Sequence, residues 1–342
     1  SYILSNVIHC LILNIYINNR PVKEYIMKKK LLQFLIIAAF FTMLLLSSAT
    51  KEGALNGLNL WLFTIVPTLL PFMLISSAIV ETGSYHIITR ILGYIMKPVF
   101  HLPREAAYPF IMGILCGFPM GSKITSDMVK SGKLSVIDGN VLLTFCNNIS
   151  PPFIISYMTG YVLGMDNDTG KIIIFIMLAG PVITGIITSR IFPHINSLFK
   201  SRRSPNISHA NPQSDSPLKS AGFSVDRCIL SGVQNVIKLG GYIIIFSIIC
   251  SLTSLILKDA FIYASVSGIL EITSGLGAFT LIPLSLKKVY IVCVLSSFGG
   301  ICTIAQTLCM IQGSGLSIRP YIAGKLINCF VTLILLFFCI HV

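Results

Sequence analysis

The chain has 342 residues, of which 54% are hydrophobic and only 11% charged, with a mean hydropathy of +0.84. So few charges cannot cover a soluble fold of this size, and the composition specifies an all-α polytopic membrane protein. The net charge of +13 could suggest nucleic acid. No basic stripe interleaved with aromatic residues accompanies it, so nucleic acid is excluded. Lys and Arg instead fall between apolar segments, where they meet anionic lipid and set topology.

Eight of the ten cysteines sit inside apolar stretches and no CxxC occurs, which fits small buried thiols in a reducing setting. The six His are scattered without HExxH or paired spacing, so no metal site is assigned. No Ser/His/Asp constellation or pair of intramembrane aspartates appears. The expectation is a protein that is not an enzyme and carries no cofactor.

In chain order, residues 1–26 form a moderately apolar extension of little structural role. Met27-Lys28-Lys29-Lys30 before LLQFLIIAAFFTMLLL has the form of an amino terminus, with a first transmembrane helix and loop over 27–57. With Ser47-Ser48-Ala49 the same stretch also fits a secretory signal peptide. An uncleaved helix is the preferred reading, because the rest of the chain is itself membrane-embedded. A first repeat is expected over 58–194. It opens with a span at Leu58–Val80, kinked by Pro67 and Pro71. Residues 84–105 carry Arg90, Lys97, His101 and Arg104 among apolar positions and read as an amphipathic interfacial helix. Ala106–Met120 reads as a short third span, followed by a basic connection with Lys123, Lys130 and Lys133.

Next comes Cys146-Asn147-Asn148-Ile149-Ser150-Pro151-Pro152 between two apolar arms, Val141–Phe145 and Phe153–Tyr157. Each arm is far shorter than the roughly 20 residues a crossing needs. The two prolines end any helix entering there. A broken helix inside hydrocarbon survives only when its backbone groups are buried in protein or face a watery cavity. The stretch near 141–157 therefore reads as a re-entrant helical hairpin whose tip presents Asn147, Asn148 and Ser150. An acidic turn, Asp166-Asn167-Asp168, leads to a span at Ile172–Ile191.

Residues 195–226 are polar, basic and rich in Ser and Pro, and read as a flexible linker. The sequon Asn206-Ile207-Ser208 within them is a chance-level match. A second repeat occupies 227–342. Leu239–Leu257 spans, and Ala260–Ile282 spans with Glu271 near its middle. Val289–Leu295 and Ile301–Met310 make a second hairpin near 289–310 around Ser296-Ser297-Phe298-Gly299-Gly300, and Tyr321–Ile340 closes the chain. Gly113-Ile114-Leu115 recurs 155 residues later as Gly268-Ile269-Leu270. Three crossings per repeat give the copies opposite orientation, which is a transporter-type architecture. With Lys28–Lys30 inside, the positive-inside rule is met by 84–105, the linker and Lys287-Lys288. It is broken by Lys123, Lys130 and Lys133, so these lysines are cytoplasmic only if a crossing has been miscounted.

The strings GILCGFPMGSKITSDMVKSGKLS and LLTFCNN-x-SP, with the later LEITSGL and SSFGG, resemble the sporulation integral membrane proteins of the YlbJ type. That group lies within the wider set bearing nucleoside-recognition, or Gate, domains. The resemblance covers roughly residues 28–342 apart from the linker. It implies a multi-pass cell-membrane protein of a Gram-positive spore former, needed for the spore cortex. In the distantly similar concentrative nucleoside transporters, two re-entrant hairpins and an intramembrane acid bind nucleoside and sodium. By that likeness Asn147, Asn148, Ser150 and Pro151 form the first tip, Ser296, Ser297, Gly299 and Gly300 the second, and Glu271 the acid. The carboxylate-bearing tip of those transporters is here Asn-Asn-Ile-Ser, which leaves the ligand unassigned.

Each candidate has a plain structural reading beside the functional one. Glu271, with Thr273 and Ser274 beside it, makes either a hydrogen bond to a neighbouring helix or a ligand, proton or cation site. Asn147 and Asn148 cap broken helix ends, bind a ligand, or do both. Gln306 reads as a helix-packing hydrogen bond, and Lys123 with Asp127 as a surface pair. The sequence thus points to a transporter-like protein moving a small polar solute, or alternatively to a non-transporting scaffold for cortex-building machinery. Membrane lipid is the partner that composition requires. A small polar solute, a coupling cation and a second copy of the chain are further partners the architecture admits.

Overall fold

The computed structural model describes residues 22–165, 167–200 and 224–341, and every regular element among them is helical. Residues 1–21 of the expected extension, Asp166 of the acidic turn, and residues 201–223 of the linker, sequon included, lie outside them. The linker is narrower than its composition suggests, since helix covers 195–200 and 225–226.

The first helix, α1 (Val22–Leu45), precedes α2 (Ser47–Asn59). A π-helical stretch, Leu60–Ile65, joins α2 to α3 (Val66–Thr82). The wider turn comes immediately before Pro67, which has no N–H to donate to the preceding turn. This long helix packs on α10 (Val225–Ile256) through Gly53 and Gly57. A Cβ on either glycine would lie 2.7 Å from the backbone of Ile248 or Ile244, so a GxxxG face lets the two helices touch. Trp61 Nε1 adds a 2.8 Å hydrogen bond to the Val236 carbonyl. Residues 84–105 form α4 (Tyr85–Leu92), α5 (Met96–Phe100) and two short 3₁₀ turns.

The structure moves both re-entrant hairpins. α6 (Ala107–Cys116) and α7 (Met120–Lys130) fold back on each other about Gly117-Phe118-Pro119, with a cis Phe118–Pro119 bond. A Cβ on Gly113 would lie 2.9 Å from Gly121 Cα, although eight residues of straight helix would separate them by about 12 Å. α11 (Ala260–Leu270) and α12 (Ile272–Phe279) repeat this about Glu271, with Gly275 against the Gly268 backbone. Neither expected span, Ala106–Met120 or Ala260–Ile282, crosses. Each is two half-length helices closed into a V by glycine facing glycine.

The expected hairpins at 141–157 and 289–310 are broken helices that run through. α8 (Val136–Leu143) gives way to extended chain at 147–150 and then to a π-helical segment, Phe153–Val162. This path lies antiparallel to α9 (Asn167–Lys200). Thr159 sits beside Gly170, Phe145 against Gly185, and Thr144 Oγ1 lies 2.6 Å from Thr188 Oγ1. Gly170 to Thr188 spans about 27 Å of helix, nearly a hydrocarbon thickness, so the segment crosses. α13 (Leu286–Phe298) and α14 (Gly300–Met310) likewise make one broken 25-residue span, Leu286–Met310, beside α15 (Ile318–His341). A proline or glycine break shows that a helix stops, and packing decides whether the chain then turns back.

Five helices among the described residues are long and apolar enough to cross a membrane, and the α8–Val162 path adds a broken crossing. Each repeat then holds a long helix, a folded hairpin, a broken crossing and a closing helix. Because α6 and α7 return to the side they left, Lys130 and Lys133 join residues 84–105 and the start of α10 on one face, while Lys123 lies buried within the hairpin. The positive-inside rule makes that face cytoplasmic. Lys287 and Lys288 move to the outer face, and the two hairpins enter from opposite sides. With the native cysteines replaced, Lys133→Cys should react with an impermeant thiol reagent from the same face as Lys97→Cys, and Lys287→Cys from the other. Labelling of Lys133→Cys and Lys287→Cys from one face would break this topology.

Candidate functional site

Two hairpin tips and two helix breaks converge at the centre of the fold. The Cys146 carbonyl, freed where α8 ends, lies in the V of the first hairpin against Gly113 and Gly121. Gly300 sits in the V of the second, its missing Cβ 3.2 Å from the Gly268 carbonyl oxygen and 3.3 Å from Ile272 N. A Cβ on Gly117 would be 3.1 Å from Ser150 N, and one on Gly299 would be 2.7 Å from Phe118 Cζ, so the first tip touches both breaks. Gly299 and Gly300 both have positive φ, 86° and 83°, which turns the chain between α13 and α14 without a side-chain clash.

The first break carries the amides. Asn148 Nδ2 donates to the Phe145 carbonyl at 2.7 Å, satisfying an acceptor that the end of α8 leaves open. Its Oδ1 accepts from Lys325 Nζ at 3.1 Å. Capping and an outward contact are thus combined in one side chain. Asn147 Nδ2 reaches across to Thr307 Oγ1 on α14 at 3.0 Å, while its Oδ1 is buried with no hydrogen-bond partner among the described residues. Ser150 and Pro151 have a backbone role: the Ser150 carbonyl accepts from Ile154 N at 3.0 Å, opening the next helix where proline's missing donor costs nothing.

The second break carries hydroxyls. Ser297 Oγ is 2.7 Å from Thr332 Oγ1, and Asn328 Nδ2 donates to the Ser297 carbonyl at 3.4 Å. The Ser296 hydroxyl is buried without a partner among the described residues. At the second hairpin tip, Glu271 is 4% exposed and accepts from Thr273 N at 3.1 Å and Ser274 N at 2.7 Å. It caps α12, placing a carboxylate on the positive end of that helix, rather than bonding to a neighbouring helix. The Thr273 carbonyl in turn accepts from Tyr157 OH at 3.1 Å, tying the hairpin to the first broken crossing. Gln306 bonds within its own helix, Nε2 to Cys302 Sγ at 3.3 Å. The Lys123–Asp127 pair forms at 2.6 Å, but Lys123 is buried, held also by Ser77 Oγ at 3.0 Å.

Sequence reasoning missed Lys325. It lies seven residues into α15, about 10 Å from the helix start, and is 2% exposed. Its ammonium sits 3.1 Å from Asn148 Oδ1 and 4.6 Å from the Phe118 ring centroid. No carboxylate among the described residues lies within ion-pair distance of it. Lys325 therefore links the first hairpin tip to the first break. The available signal was a lysine inside an apolar segment, GKLINCFVTLILL, where an ionisable group marks function by default.

The packing has a direct test. Asn148→Ala removes both the hydrogen bond to the Phe145 carbonyl and the acceptor for a buried ammonium, about 0.5–1.5 and 1.5–3 kcal/mol respectively. Gly275→Ala forces a Cβ into backbone. Both should lower the unfolding temperature of the purified protein, whereas Ser296→Ala, which deletes an unpartnered buried hydroxyl, should leave it unchanged or raise it.

No family model and no solved structure matches the chain. Among curated proteins it is similar to the sporulation integral membrane protein YlbJ of Bacillus subtilis (strain 168), 22% identical over 334 residues that cover 86% of this chain and 79% of that protein. The chain is a multi-pass membrane protein, and its likeness to the sporulation integral membrane protein YlbJ extends over most of its length.

Proposed function

We propose that the chain acts in sporulation as a transporter-like membrane protein, supporting cortex formation by moving a small polar solute that carries negative charge. The observation that carries this reading is Lys325, a buried ammonium with an amide and an aromatic face for company and, among the described residues, no carboxylate in reach. Holding an ammonium uncompensated in a low-dielectric interior costs several kcal/mol, and a bound anion offsets that cost. The unpartnered Asn147 Oδ1 and Ser296 Oγ supply further polar contacts on the same two breaks. Hairpins entering from opposite faces suit alternating access, each tip withdrawing in turn. Glu271, capped by its own helix, is the group that would respond to a coupling cation or proton.

Lys325→Met keeps length and volume but deletes the charge. If Lys325 were structural filler, removing an uncompensated buried charge would leave stability equal or higher and function intact. On the transport reading, membrane abundance stays at wild type while heat-resistant spore counts fall by orders of magnitude. Glu271→Gln keeps one acceptor for the α12 amides, so loss of spores at normal abundance assigns the coupling role. Wild-type spore counts for Lys325→Met would overturn transport. Spore loss that only tracks abundance would leave the scaffold reading in its place.

A further inference from the structure

Residues 84–105 form a second polar feature, remote from the hairpin tips and on the cytoplasmic face. A cavity of about 520 Å³ there is lined by His86, Ile87, Thr89, Arg90, Ile91, Arg104 and Glu105. The two arginines come from separate elements, α4 and the 3₁₀ turn before α6. Gly93 brings them together: a Cβ at that position would lie 2.9 Å from Arg104 Cβ and 3.0 Å from the Arg104 carbonyl oxygen. Only a residue without a side chain lets the two elements approach so closely. Neither guanidinium has a hydrogen bond or ion pair among the described residues, although Glu105 lines the same cavity.

The surroundings say what fills it. Ile87, Ile91, Leu92, Tyr94 and Ile95 are exposed around the cavity. Apolar side chains this exposed belong in acyl chains, while arginines and a histidine on the same short segment belong at headgroup depth. We infer that this cavity is a binding site for an anionic phospholipid of the cytoplasmic leaflet. Its phosphate is held between Arg90 and Arg104, with His86 beside it, and its acyl chains lie over Ile87 and Ile91. Guanidinium suits this task because its planar fork can give two hydrogen bonds to one phosphate. A lipid seated there would pin the segment leading into the first hairpin, since α6 begins directly after Arg104–Ala106.

The test uses the full chain in nanodiscs of phosphatidylcholine alone or mixed with phosphatidylglycerol, reading melting temperature and the lipids retained on repurification. Wild type should retain phosphatidylglycerol over phosphatidylcholine by about 25-fold, roughly fivefold for each arginine at about 1 kcal/mol apiece. It should also melt higher in the mixed discs. Arg90→Gln and Arg104→Gln should each lose about fivefold, and the double variant should lose all preference while melting like wild type in phosphatidylcholine. Gly93→Leu, which spreads the two elements, should lose the preference with both arginines present. Lys97→Gln, nearby but outside the cavity lining, should keep it. The inference fails if the double variant retains the preference, or if Lys97→Gln loses as much, which would make it general surface charge. Stabilisation by inorganic phosphate in phosphatidylcholine discs would equally overturn it, by showing a free-anion site.

Discussion

Inside hydrocarbon a broken helix must find partners for its freed amides and carbonyls within the protein, and this requirement organises the fold. Two crossings are broken, at Cys146–Pro152 and at Gly299-Gly300, and each break lies in the V of a re-entrant hairpin. The V can close only because glycine faces glycine across it, Gly113 with Gly121 and Gly268 with Gly275. A methyl group at Gly113, Gly121 or Gly275 would meet backbone, and one at Gly268 would press on the Leu295 side chain. Unsatisfied backbone in lipid costs several kcal/mol per group, so these four small residues support much more than their own contacts.

Once the backbone is accounted for, the side chains around the breaks are buried, and Glu271 and Lys325 among them are ionisable. Glu271 is met by the amides at the start of its own helix. Lys325 is met by an amide oxygen and a ring face. The two do not pair with each other, although charges of opposite sign in a low-dielectric interior attract strongly. Each is instead solvated by fixed dipoles that belong to one hairpin: Glu271 by the second, Lys325 by the residues that pack on the first. A movement of either hairpin therefore changes the environment of one charge without directly changing the other.

Much of this was legible in the sequence. Composition gave the membrane class, and the Ser150-Pro151-Pro152 and Gly299-Gly300 breaks were found where the helices stop. The hairpins were misplaced because a break carries no information about direction. What turns the chain back is a pair of glycines seven or eight residues apart on either side of a tip, and Cys146–Pro152 has no such pair flanking it. Placing a full crossing at Ala106–Met120 then forced Lys130 and Lys133 to the wrong face, and that conflict with the positive-inside rule was the visible trace of the error. Lys325 was missed for another reason. Near the start of an apolar helix, a lysine ordinarily extends its stem toward the headgroups. Here Asn148, Phe118 and Tyr321 surround it instead, and no local pattern reports contacts between residues 177 positions apart.

The two repeats share a backbone plan but not a chemistry. The first break presents two carboxamides, the second two hydroxyls and two glycines; the first tip is an aromatic ring and a proline, the second a carboxylate. Among the described residues the cation comes from α15, whereas the matching closing helix of the first repeat, α9, places Thr184 and Thr188 among its buried polar groups. A twofold scaffold with identical sites would treat either face of the membrane alike. Unequal groups on matching positions give the centre a polarity, with the cation held at the hairpin that enters from the cytoplasmic face and the carboxylate at the one that enters from the outer face. The backbone symmetry accounts for how the breaks are tolerated. The asymmetry of the side chains is what any ligand entering the centre would encounter.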